Sequence, residues 1–408
     1  MEYTQGSFNP NGIFYSTYNP ETLNARSFPD MILRLWPNGT APLYAMTSQC
    51  KRTTAINHTH GYHTKAMAFA QLVSGGTYTN ETTLTVASTA GVVPGMVFQV
   101  PGTAENIIVL TVPSATSVTV HRAYGRVAEG AIGDGDVLFC VGNNHTEASL
   151  RPESRGVAAT YVPNYTSIVR NAWSVSDTAR ASLTETGDFT NVGESRQDCM
   201  QFHSTDMESH LFFSQPQAPT QITGTKLEHT TQGIIDAVRQ YASANMITAG
   251  ATTSWAQLVT MLEKGFTSVS SLGSANERVL FTDSLGHKIL TELGELYGNT
   301  WKGMDSTTFG MQFTALRFYK GTVYIKEHPL FNALGQPAGL AVMADLPTMA
   351  MAYMEGRDVK REEYDGSGDS TGNGIDAVGG SLTTEFATEF KDPGACVVIN
   401  GLTAAAAA

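Results

Sequence analysis

The chain reads as an α+β protein, and three observations carry that reading. Residues 188–214 place Val192, Met200, His203, Met207 and Leu211 in steps of mostly three and four, the spacing of one face of a long helix. Residues 73–145 break into five short runs rich in Val, Ile and Thr at about 12-residue spacing, the pattern of a small barrel or sandwich. The composition, 41% hydrophobic and 15% charged with 39 glycines, suits a β-rich, loop-rich chain better than a helical one. At 408 residues there is room for two or three domains with their own cores.

Each element follows from local chemistry. Residues 1–45 are rich in Asn, Pro and aromatics without either period, and their Phe and Tyr content suits an extended arm that docks on something else. Residues 50–72 are polar and strand-like, with His58, His60 and His63 in an HxHxxH spacing. On a strand the HxH pair shares one face, which invites a transition metal. No acidic or Cys partner stands nearby in sequence, so hydrogen-bonded loop histidines are the favoured reading. In the β stretch, Gly133-Asp134-Gly135-Asp136 marks a tight turn before the last run. Residues 146–185 are extended and lead into the helix, whose candidate N-caps are Asp188 and Thr190. Its polar side, Arg196, Asp198, Ser204 and Asp206, is expected to face away from a sheet. Pro216 and Pro219 end it.

Helices are expected over 232–244 and 254–266, a buried strand over 277–281, and a helix capped by Asp283 and running to 296. Strands follow at 313–319, 321–326, 340–343 and 349–354, then a glycine-rich loop at 365–380. Asp365, Asp369 and Asn373 are spaced by four, which does not match an alternating calcium loop. Residues 382–390 and 395–400 read as a closing β pair around Asp392-Pro393-Gly394.

Several function classes are excluded or weakened. The formal charge of −12 with no Lys/Arg run lacks the electrostatic footprint of a duplex reader. Cys50, Cys140, Cys199 and Cys396 stand far apart, which argues for reduced thiols and against a disulfide framework or Cys-rich zinc site. The first residues lack a basic region followed by an apolar one, so a soluble protein outside the usual export route is expected. No phosphate loop, dinucleotide fingerprint or HExxH occurs. Asp283, Ser284 and His287 alone invite a triad reading, and a helix cap explains the first two better. Glu194 and Asp198, one turn apart, read as solvated acids of an exposed face. No catalytic, cofactor-binding or metal residue is therefore assigned.

Six segments, taken in order, carry a family resemblance: FPDMILRLWPNGTAPLYAM with its Pro-x-x-Thr-x-Pro turn at 37–42, VTVHRAYG at 118–125, GDVLFCVGN at 135–143, NYTSIVRNAWSVSDTA at 164–179, and the pair PTMAMAYMEGRD and EFATEFKDPGACVVINGL near the C-terminus. The set resembles the major capsid proteins of tailed phages with the HK97-type fold, in the group typified by phage SU10, over residues 25 to 403. The resemblance implies an HK97-like capsid fold with a small inserted all-β domain. Its parts are an N-terminal arm and first segment (1–66), an extended loop (67–185) holding the insert (73–145), a peripheral domain (186–306) with the spine helix (188–214), an axial domain (307–378), and C-terminal strands returning to the peripheral domain (379–408).

The implied function is structural and not enzymatic: self-assembly into pentamers and hexamers of an icosahedral head around double-stranded DNA. The implied partners are the chain itself, a separate scaffolding protein, the portal and decoration proteins, with packaged DNA touched non-specifically and no membrane. The implied location is the virion, after assembly in the bacterial cytoplasm. An arm and loops whose apolar residues have no local core fit such a subunit, because they gain roughly 25 cal/mol per Å² only against another chain. The alternative is a decoration or receptor-binding protein whose β insert binds glycan.

Overall fold

The computed structural model describes residues 51–65, 70–152, 154–182, 191–222, 224, 226–268, 270, 272–273, 276–296, 301–302, 314–333, 338–365 and 376–404. The chain forms two compact units: Gly61–Pro163, and a larger one made of Met1–His60 with Asn164–Ala408. The larger unit opens with β1 (Lys51–Ala55). The smaller contributes β2 (Tyr62–Thr64), β3 (Gln71–Val73), β4 (Thr83–Thr85), β5 (Met96–Gln99), β6 (Asn106–Ser114), β7 (Ser117–His121), β8 (Val137–Asn143) and β9 (Thr160–Val162). The chain returns as β10 (Ser167–Ser176), a short helix α1 (Asp177–Ala181) and the long helix α2 (Asn191–Phe213). Next come β11 (Gln217–Gln221), β12 (Leu227–Thr230), α3 (Ile234–Tyr241), β13 (Met246–Thr248), α4 (Trp255–Glu263), β14 (Glu277–Thr282) and α5 (Ser284–Leu296). The last stretch holds β15 (Trp301–Lys302), β16 (Thr314–Phe318), β17 (Gly321–Glu327), α6 (Pro329–Ala333), β18 (Ala341–Ala344), β19 (Met349–Met354), β20 (Lys360–Asp365), β21 (Ala377–Phe390) and β22 (Val397–Asn400).

In the smaller unit six antiparallel strands run in the order β3-β8-β5-β6-β7-β4. The two outer strands meet: Ser74 bridges Val86, Gly75 N donates to Thr85 O and Ala87 N donates to Val73 O. The sheet therefore closes into a barrel, which leaves no free edge to pair elsewhere. Strict alternation builds its interior, with Ile107 and Val109 on β6 and Val118 and Val120 on β7 buried against Phe98, Leu72 and Leu138. Each such side chain contributes roughly 1.5–3 kcal/mol when fully buried. The Gly133–Asp136 turn is held by Asp136 Oδ2, which accepts from Gly133 N at 2.6 Å, and Gly135 supplies φ +80°. The unit is wider than the 73–145 stretch because β2 and β9 pair, Tyr62 opposite Val162, and bring both flanks together.

The larger unit contains two main sheets. In the first, β21 is central: β10 runs antiparallel along one edge, β19 and β20 lie end to end along the other, and β1 adds parallel outside β19. The second has the order β13-β22-β18-β14-β17-β16-β15. The closing β pair expected around Pro393 does not form. β21 and β22 belong to different sheets, and the single 3-10 turn Pro393–Ala395 hands the chain from one to the other. Both strands are buried on both faces, so each fits inside a sheet with other partners. The sheets also do not divide at residues 306 and 378: the second draws β13 and β14 from before that stretch, while β19 and β20 from within it join the first.

Two cores follow. One gathers Met207, Leu211 and Phe212 of α2, Ile234 and Val238 of α3, Val342 and Ala344 of β18, and Met351, Phe386 and Phe390 of the first sheet. The other packs Leu258 and Leu262 of α4 and Ile289, Leu290 and Leu293 of α5 on the opposite face of the second sheet. Ser254 caps α4 in a capping box with Gln257. The extended run into α2 is interrupted, because Ser176 Oγ accepts from Ala179 N and caps α1.

Candidate functional site

The seam between α2 and the first sheet is polar, which its sequence period does not suggest. Met200, expected on the buried face, is 61% exposed, while Cys199 is buried. The buried row is Cys199, His203, Met207 and Leu211 in steps of four, and Met200 lies about 100° around from it. The supposedly outward polar side also turns to the sheet. The Arg196 guanidinium stacks 4.9 Å from the Trp173 ring and meets Glu363 at 3.0 Å, and Asp206 accepts from Asn171 Nδ2 at 2.7 Å. Long side chains let charged heads reach back over apolar ground. The candidate caps Asp188 and Thr190 lie outside the described residues.

His203 is the centre of this seam. Asn171 gives its amide N–H to Asp206, so its Oδ1 faces His203 Nδ1 at 2.8 Å, and Thr384 Oγ1 lies 2.8 Å from Nε2. That arrangement makes Nδ1 the donor and Nε2 the acceptor of a neutral ring. Burial pushes its pKa down, partly opposed by Asp206, and burial does the same to His210, whose Nδ1 lies 3.2 Å from Ser167 Oγ. Further along α2, Glu208 meets the wholly buried His328 at 2.8 Å, and Phe212, Phe281 and Phe331 enclose that imidazole.

The three histidines of the HxHxxH spacing go to three different partners. His58 to His60 lie between β1 and β2, outside any strand, so the shared face is not formed. The His58 ring lies 5.9 Å from that of His229, His60 Nε2 lies 2.8 Å from Glu389 Oε1, and the His63 ring packs 5.1 Å from Tyr161. The acidic partner missing from the local sequence comes from β21. Among the described residues no group of three His, Cys, Asp or Glu is placed to hold a metal.

Asp283 is a helix cap: its Oδ1 accepts from Gly286 N and its Oδ2 from Gly339 N, both at 2.7 Å. Ser284 Oγ donates to Glu327 Oε1 at 2.6 Å and accepts from Asn332 Nδ2, an arrangement that leaves the triad reading without its serine–histidine contact. Glu194 and Asp198 are half-buried on α2. Asp369 and Asn373 lie outside the described residues, and no described helix is long and apolar enough to cross a membrane.

Two groups of neighbouring outward apolar side chains occur among the described residues. On the barrel, β8 points Val137, Phe139 and Val141 outward, at 47%, 47% and 54% exposure, while Leu138 between them is buried. In the larger unit the β11-β12 hairpin exposes Ile222 and Leu227 beside its turn. Sequence reasoning also missed the buried pair Arg122–Glu105 in the barrel. Glu105 accepts from Arg122 Nε at 2.8 Å, Ala123 N at 2.8 Å and Gly130 N at 3.0 Å. Burial alone would raise the Glu105 pKa, and these donors hold it below the usual range. The signal was present: Arg122, one residue past β7, continues the inward parity of Val118 and Val120.

The described surface thus carries outward apolar side chains on β8 and on the β11-β12 hairpin. Comparison with known proteins identifies the family. The family model described as SU10 major capsid protein matches residues 14–403. The major capsid protein of Pseudomonas phage PaMx41 is 42% identical over 403 residues, covering 96% of each chain. Solved structures with a similar course include one from Mycobacterium phage Bobi, at 10% identity and TM-score 0.47 over 93% of this chain and 96% of that one. An encapsulin complex from Synechococcus elongatus, at 10% identity and TM-score 0.43, covers 62% of this chain and is covered over 81% of its own. The chain belongs to the SU10 major capsid protein family. It is a structural, non-enzymatic component of the head of a tailed phage and resides in the virion capsid.

Proposed function

We propose that this subunit has the HK97-type layout and closes into pentamers and hexamers that tile an icosahedral head around double-stranded DNA. In this reading α2 is the spine helix, and the first sheet with α2 forms the peripheral domain. The axial domain is the second sheet with its helices, drawn from residues 246–344 and 397–400. The 61–163 unit occupies the extended-loop position, and residues 1–45 act as an arm reaching a neighbouring copy. The observation that carries the reading is the apolar ladder Val137, Phe139 and Val141, which lies outside the barrel core and gains burial only against another surface. The net charge of −12 suits a shell that surrounds DNA without gripping it. A separate scaffolding protein, the portal and decoration proteins complete the partners, and none of the three histidines at 58, 60 and 63 is assigned a metal.

Negative-stain electron microscopy of the expressed chain, alone and with its neighbouring head genes, tests this. Closed shells or rings of five and six are expected. Removing residues 1–40 is expected to abolish them, and truncated chains that still built shells of normal size would sink the arm assignment.

A further inference from the structure

The larger unit is interrupted at one place only, between His60 and Asn164. The two chain ends there lie side by side: His60 N donates to Asn164 O at 2.8 Å, Thr59 bridges Tyr165, and Thr166 N donates to His58 O at 2.8 Å. Just beyond them the pairing stays so close that a Cβ at Gly61 would sit 2.3 Å from Val162 O.

Side chains then moor both ends to one stretch of β21. Glu389 Oε1 takes His60 Nε2 at 2.8 Å and Thr53 Oγ1 at 3.1 Å, and Lys391 Nζ lies 2.9 Å from its Oε2. Asn164 is buried and fully engaged: Nδ2 donates to Thr388 O at 2.6 Å and Thr231 Oγ1 at 3.2 Å, while Oδ1 accepts from Tyr165 N and Gln232 N. Thr166 Oγ1 donates to Glu385 Oε1 at 2.8 Å, and Arg357 holds the other oxygen of Glu385 at 3.0 Å. Apolar side chains would hold two strands on a sheet at less desolvation cost than two carboxylates and an amide. What the polar set adds is direction, because each bond is satisfied in one register only.

We propose that His60, Asn164 and Glu389 are positioning residues for head assembly: they clamp the two ends that carry the 61–163 unit into a single register. This rests on the reading that the unit makes contacts between copies. A chain lacking the clamp keeps both cores, since none of the three residues belongs to either, but presents its interrupted ends in several registers and closes shells poorly.

The test uses the full chain expressed with its head genes. His60→Ala is expected to speed amide exchange at His60 and Thr166 by about tenfold or more in the unassembled protein. It is expected to lower the yield of closed shells severalfold, with a broadened diameter distribution, while the melting temperature of the unassembled chain changes little. His60→Gln, whose amide N–H reaches Glu389, is expected to restore both exchange and shells. Normal shells from His60→Ala, or His60→Gln failing as badly as His60→Ala, would overturn the proposal. A measurement on the unaltered chain guards against a variant that does not fold: exchange at His60 and Thr166 as fast as in exposed loops also overturns it. Phe139→Ser separates this from the underlying reading. If Phe139→Ser blocks assembly and His60→Ala does not, the clamp alone falls; if neither affects assembly, the inter-copy reading falls as well.

Discussion

The barrel and the α2 seam bury polar groups by opposite means. In the barrel one ion pair, Arg122 with Glu105, sits inside a closed apolar cage, and its members are 17 residues apart. Along α2 the polar groups are spread down the whole contact, and His203 reaches Thr384 across 181 residues. The first arrangement is local and all-or-none. The second is a row of separate bonds, each of which can be lost while the neighbouring ones hold. A helix seated this way keeps its register without depending on a continuous greasy stripe, which explains why its apolar period alone misplaced Met200.

That contrast can be broken from either side. The largest effect is expected from Arg122→Ala, which strands a buried carboxylate and should cost about 3–5 kcal/mol in urea unfolding of the smaller unit. Replacing both partners with Met and Leu should recover most of that loss, since an apolar pair of similar volume needs no compensation. Phe212→Ala, which empties the centre of the aromatic cluster around His328, should cost a similar 3–5 kcal/mol or so but in the larger unit. If both variants lowered one shared transition, the two units would not be energetically separate.

His203→Ala should be milder, about 1–3 kcal/mol, because it strands only Asn171 Oδ1 and the Thr384 hydroxyl proton and removes little apolar area. The pH dependence sharpens the same point. His203 and His210 have folded pKa values below 6.5, so below that pH the unfolded chain binds protons that the folded chain resists. Their contribution is complete above pH 6.5 and declines as pH falls from there through the lower folded values. Glu389 sits at about 2 against an ordinary 4.5, through hydrogen bonds from His60, Lys391 and Thr53 that outweigh its burial. Its contribution is complete above pH 4.5 and is lost toward pH 2. Acid titration of the unassembled chain should therefore loosen the α2 seam first and the β21 mooring later, read by exchange at α2 and at His60. Loss in the reverse order would contradict both assignments. The smallest effect on folding is expected from Phe139→Ser, within about 0.5 kcal/mol, because the side chain is outside the barrel core.

Legibility followed the range of the contacts. The alternation in 117–121 and the Gly-Asp turn at 133–136 were readable, and they account for most of the barrel. The helices at 234–241 and 255–263 carried their own apolar faces, and Asp283 announced the start of α5. The partners of the histidines were not readable. Nothing around His60 points to Glu389, 329 residues away, and nothing in Val397–Asn400 says that it pairs with β13 and β18 and not with the strand just before it.

By itself, then, the sequence determined the long helix and the helices at 234–241, 255–263 and 284–296, the inward positions of the barrel, and, through its ordered motifs, the capsid family. Only the tertiary structure decided how β21 and β22 part between two sheets, which face of α2 is buried, and where the buried carboxylates find their donors. The physical reason is that period and capping act over a few residues, whereas strand order and polar pairing are settled by which surfaces meet when distant segments close on one another.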